Sequence, residues 1–94
     1  MYVVVRRYTG ASALVDAMVQ REQEVRDLIS GVPGFRAYYA ARAGNGGVVT
    51  VTVCDSKEGT DESVRRAAGW VRSNVTGASM SPPEITEGET YINF

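Results

Sequence analysis

Ninety-four residues, 44% hydrophobic and 22% charged with a net charge of −1, describe one ordinary globular domain. A chain this short buries roughly 60–65% of its extended surface, enough for one modest core. The near-neutral charge excludes an electrostatic footprint for nucleic acid or an anionic membrane surface, and the lone Cys54 excludes an internal disulfide.

Residues 2–8, YVVVRRY, are β-branched and aromatic and predict a first strand. The apolar run precedes the arginine pair instead of following it, unlike a signal peptide, and no run approaches the ~20 residues of a membrane span. A soluble cytoplasmic protein is expected. Ser12 caps a helix predicted over 12–30, where Leu14, Ala17, Met18, Val25, Leu28 and Ile29 share one face. Gly31 is expected to stop it in the left-handed conformation, and Pro33-Gly34 to turn the chain into FRAYYAAR, a strand over 35–43. Asn45-Gly46 signals a type I′ hairpin turn into a third strand, 48–54. Thr60 is read as the cap of a second helix, with Val64, Ala67, Ala68, Val71 and Val75 as its buried stripe. Residues 77–94 form a Pro/Gly-rich C-terminal arm that ends in a short last strand, TYINF.

The order β-α-β-β-α-β predicts a single α+β domain over 1–94, with the ferredoxin-like split βαβ arrangement and an antiparallel sheet. Two helices cover one face of such a sheet. FRAYYAAR is nonetheless apolar on both sides: Phe35, Ala37, Tyr39 and Ala41 form one row, and Tyr38 and Ala40 belong to the other. With Val48, the first row would expose on the order of several hundred Å² of apolar surface. A second copy of the chain is expected to cover it, giving a homodimer through the sheet face.

VPGFRAYYAAR after a long helix, the hairpin that follows, and a Trp in the second helix resemble the dimeric α+β barrel superfamily. Within it the chain is most similar to the small antibiotic-biosynthesis-monooxygenase (ABM) domain proteins, over roughly residues 2–76. The resemblance implies two ferredoxin-like subunits packed sheet to sheet as a barrel, with a cavity between each sheet and its helices. Some members oxidise phenolic or quinonoid substrates without metal or flavin, others degrade haem, and many have no assigned activity. Haem-degrading members use an Asn on the first strand, a Trp on the second helix and a His after it. Here Trp70 alone has a counterpart, and the chain contains no His.

The absence of His also removes Ser-His-Asp and Cys-His schemes and the commonest metal ligand. Cys54 reads as a small buried residue, and Asp55, Glu58, Asp61 and Glu62 as a solvated cluster without calcium-loop spacing. No metal and no cofactor are expected. Arg21 falls within the apolar stripe of the first helix, where a charge either snorkels, pairs with an acid such as Glu89, or binds an anion in the cavity. Trp70 lies ~120° from the stripe centre of the second helix, beside Asn74, and either packs on a neighbouring helix or arm or lines the cavity. An even-numbered turn would place Tyr38 with Val49, Val51 and Val53, taken as the helix side; an odd one would exchange Tyr38 and Tyr39. Arg21, Tyr38, Trp70 and Asn74 are thus the ligand-binding candidates. One function is cofactor-independent monooxygenation of a small aromatic substrate, with Trp70 and Tyr38 on the ring and Arg21 at a developing oxyanion. The other is a non-catalytic ligand-binding or stress-related module that shares only the fold.

Overall fold

Strands and helices succeed one another as β1 (Tyr2–Tyr8), α1 (Ser12–Gln20), α2 (Glu22–Ser30), β2 (Phe35–Arg42), β3 (Val48–Cys54), α3 (Lys57–Asn74) and β4 (Glu84–Glu89). The structure is a computed structural model and describes residues 1–44, 46–75 and 82–94. The four strands form one antiparallel sheet in the order β2-β3-β1-β4, the expected ferredoxin-like topology. No helix among the described residues is long and apolar enough to cross a membrane.

Strand alternation divides the sheet into two faces. Val4, Arg6 and Tyr8 of β1 and Val48, Thr50, Thr52 and Cys54 of β3 are buried on the helix side. The core there joins Tyr8, Ala11, Leu14, Val48 and Trp70, with Met18, Val25, Leu28 and Val71 packed around them. The other face carries Val3 and Val5, opposite Val53 and Val51, and then Ala37 and Tyr39 of β2. Among the described residues no helix lies on it, and Tyr39 is 64% exposed. Both rows of β2 and β3 are apolar enough to bury, so loop parity decides between them. The connection 43–47 separates the paired Arg42 and Val48, an odd count, so Tyr38 stands opposite Thr52 and not in the row of Val49, Val51 and Val53. Tyr38 therefore does face the helices and Tyr39 the open side, but the row under the helices is the one bearing the threonines. Val48, expected on the open face, is buried on the helix side. A bulge between Phe35 and Ala37 breaks the predicted row of Phe35, Ala37, Tyr39 and Ala41, since Phe35 stands opposite Cys54.

Other expectations need correction. The first helix is interrupted at Arg21, whose φ and ψ are −120° and 35°. Residues 20–24, QREQE, offer no apolar side chain to hold that turn against the core. Gly31 is right-handed, with φ −81°; it is Gly34, with φ 65°, that needs the left-handed region. The second helix, α3, starts before Thr60, at Lys57. Thr60 and Ser63 lie on its buried side with Ala67 and Trp70, their hydroxyls donating to Lys57 O (3.1 Å) and Thr60 O (2.7 Å). Small polar residues satisfied by their own helix thus centre the buried stripe, and Ala68 is exposed. The last strand is 84–89, not TYINF. Glu89 pairs with Tyr2, where β1 begins, so residues 90–94 run past the end of the sheet. Gly46 has φ 82°, as its turn requires, whereas Asn45 and residues 77–81 of the arm lie outside the described residues.

Candidate functional site

Adjacent residues of a strand point to opposite faces, so the pair Arg6-Arg7 must send one guanidinium inward. Arg7 is the outer one, 3.7 Å from Glu84. Arg6 is the inner one, 2% exposed, between Thr50 on β3 and Ile85 on β4 in the cross-strand register. Its Nε and Nη1 are buried without a hydrogen-bond partner, as are the hydroxyls of Thr50 and Thr52. Buried polar atoms are normally paired, and a buried charge without a counter-charge is costly. This row is where the fold departs most from that rule.

Arg6 borders two spaces. The first is an inner cavity between the sheet and all three helices, bounded by Tyr38, Thr50, Leu14, Met18, Leu28 and Trp70 among others. Water-sized spheres can occupy about 20 Å³ of it, room for one water. The second is an outer pocket between α3 and β4, about 480 Å³ by the same measure, with walls of Val64, Ala68, Val71, Val75, Pro82, Pro83 and Ile85. Arg6, Tyr8 and Val71 belong to both. Burial pushes the Tyr38 phenol up from its ordinary value, while the nearby Arg6 charge pulls the other way. At neutral pH Tyr38 is accordingly a neutral hydroxyl beside a guanidinium. Among the described residues no three His, Cys, Asp or Glu side chains come together as a metal-holding group.

Of the four candidate residues, the structure brings Tyr38 and Trp70 together on the inner cavity. Trp70 is 9% exposed and its indole Nε1 donates to Glu24 Oε1 at 2.9 Å, so it both packs on α2 and lines the cavity. Arg21 and Asn74 border neither space. Arg21 stands at the break between α1 and α2, its side chain 54% exposed, and donates to Asn74 Oδ1 at 2.8 Å and Glu24 Oε2 at 3.5 Å. Asn74 Nδ2 donates in turn to Trp70 O at 2.9 Å. These contacts tie the break to the end of α3. The expectation of a guanidinium between the first helix and the sheet is corrected: the inward arginine is Arg6. The Arg6-Arg7 doublet within a strand carried that signal in the sequence. Cys54 is buried at the end of β3, and burial pushes its thiol up, as suits a packing residue.

No protein-family model and no curated protein matches the sequence. Solved structures do share the fold. A monooxygenase from the ActVA-Orf6 gene of Streptomyces coelicolor, in complex with nanaomycin D, is 17% identical with a TM-score of 0.68, over 99% of this chain and 89% of that one. SnoaB, a cofactor-independent oxygenase from Streptomyces nogalater, is 13% identical with a TM-score of 0.65, over 98% and 94% of the two chains. The R26S mutant of MhuD, with two manganese protoporphyrin IX bound per active site, is 15% identical with a TM-score of 0.71, over 100% and 98%. The chain shares with these ABM-like structures a ferredoxin-like fold of helices on one four-stranded antiparallel sheet.

Proposed function

We propose that two copies of the chain pack open sheet to open sheet, and that each binds a small aromatic molecule in the outer pocket over Arg6. The observation that carries this reading is a buried guanidinium, with Nε and Nη1 unpartnered and no acid beside it, bordering an apolar space large enough for a fused ring system. The finer reading is cofactor-independent monooxygenation of a phenolic or quinonoid substrate, supported by the similarity to a monooxygenase bound to nanaomycin D and to a cofactor-independent oxygenase. Without a cofactor, all electrons come from the substrate. Converting a ring CH₂ to a carbonyl with one O₂ takes four electrons from carbon, places one oxygen atom in the product and releases the other as water. Arg6 would hold the developing oxyanion, the part sequence reasoning gave to Arg21, where a preorganised charge in a dry site acts most strongly. Tyr38 and Trp70 would close the inner side.

A second reading, a non-catalytic binding module, is favoured by the inner cavity, which has room for one water and no ring. Oxygen-electrode assays with hydroxylated anthrones and naphthols separate the two. The enzyme should consume one O₂ per substrate and place one ¹⁸O atom from labelled dioxygen in the product. Binding of the same compounds, seen by quenching of the lone Trp70, with no uptake above buffer would establish the second reading.

A further inference from the structure

The uncompensated charge of Arg6 restricts what can occupy the outer pocket, whether or not the occupant is turned over. The walls of the two spaces contain Arg6 and Arg72 and no acidic residue among those described. Arg7, the neighbouring cation on β1, has Glu84 on the opposite face, so no carboxylate is shared across the sheet. Thr50 and Thr52, the polar neighbours on β3, present hydroxyls that are themselves unpaired. Tyr38 remains protonated at neutral pH and supplies a dipole, not a charge. A guanidinium kept from water without an internal counter-ion is most stable when a ligand supplies the negative charge.

Resting on the pocket assignment above, we propose that the ligand is an aromatic monoanion, a carboxylate or an ionised phenol, whose charged oxygen sits on the Arg6 guanidinium while its ring lies against Val64, Val71 and Ile85. Arg72 adds a second positive charge to the pocket's lining. The site is then a receptor for acidic aromatic compounds and discriminates against their neutral isosteres, because these leave the guanidinium without a counter-charge.

The test uses the whole protein with three probes: 1-naphthoate, its neutral isostere 1-naphthamide, and 4-nitrophenol, whose colour reports its ionisation. Naphthoate should bind about 10- to 100-fold more tightly than naphthamide at neutral pH, as expected for hydrogen bonds to an ionised group. Bound 4-nitrophenol should ionise about one or more pH units below the free compound. Arg6→Met should abolish both the preference and the shift, and Arg6→Lys, which keeps the charge, should retain part of each. Equal binding of naphthoate and naphthamide, or an unshifted or raised nitrophenol titration in the wild-type protein, overturns the anion assignment while leaving the pocket standing. Binding of none of the three removes the pocket as well. The nitrophenol measurement needs no variant, so it decides the matter even where Arg6→Met fails to fold.

Discussion

Replacing Arg6 with Met should stabilise the protein, the reverse of what removing a buried arginine usually does. The side chain is 2% exposed, and its Nε and Nη1 have no partner, so no acid is stranded by its loss. Met follows the path of the arginine stem against Tyr8, Leu28 and Val71, which line the same cavity. What disappears is the cost of holding a charge away from water, several kcal/mol for an isolated ion and partly relieved here by neighbouring hydroxyl dipoles. A net gain on the order of 2 kcal/mol is expected, which for a domain of this size raises Tm by about 8–16 °C. Urea and thermal unfolding at neutral pH, without ligand and at one fixed protein concentration, measure it directly; fixed concentration matters because association would itself shift Tm. A loss of ~3–5 kcal/mol is the signature of a broken buried ion pair. That result would refute the claim that Arg6 lacks an internal counter-charge, and the anion assignment with it.

Tyr39→Asp or Val51→Asp, paired residues on the open face, should convert a dimer into a monomer by light scattering, while a wild-type protein already monomeric at micromolar concentration sinks the sheet-to-sheet assembly. The folded-state pKa of Tyr38 is raised, so the unfolded chain loses that proton first; the associated stability is complete below about pH 10 and is lost as pH rises toward the folded value. Urea midpoints followed from about pH 8 to about pH 11 should fall less steeply in Tyr38→Phe than in the wild type. Trp70→Ala should cost ~3–5 kcal/mol by cavity formation, whereas Glu24→Gln, which keeps an acceptor for the indole on a half-exposed side chain, should cost under ~1 kcal/mol; comparable losses would mean that the hydrogen bond, not packing, fixes the indole. Thr52→Val should raise stability by ~1 kcal/mol in the same assay, since the hydroxyl it removes is buried and unpaired.

The order of elements along the chain from β1 to α3 was legible because it rests on local signals: β-branched runs, Pro33-Gly34, and an apolar helical stripe from Leu14 to Ile29. The two-sided apolarity of FRAYYAAR was legible for the same reason, but the parity of the connection 43–47, not that pattern, decides which of its rows lies under the helices. The break at Arg21 was not, because the 100° periodicity of the stripe passes through QREQE undisturbed while no apolar residue pins that turn. The last strand was missed because edge pairing follows the length of β1 and backbone hydrogen bonding, so polar EITEGE is in register while apolar TYINF runs beyond Tyr2. Half of the site was within reach of the sequence. A strand bearing Arg6-Arg7 must turn one guanidinium inward, and Tyr38 and Trp70 were identified as candidates. Which arginine is buried, and whether an acid meets it, depend on the register of β1 between β3 and β4 and on the helices crossing above. Those are contacts between residues far apart in the chain, and only the tertiary structure sets them.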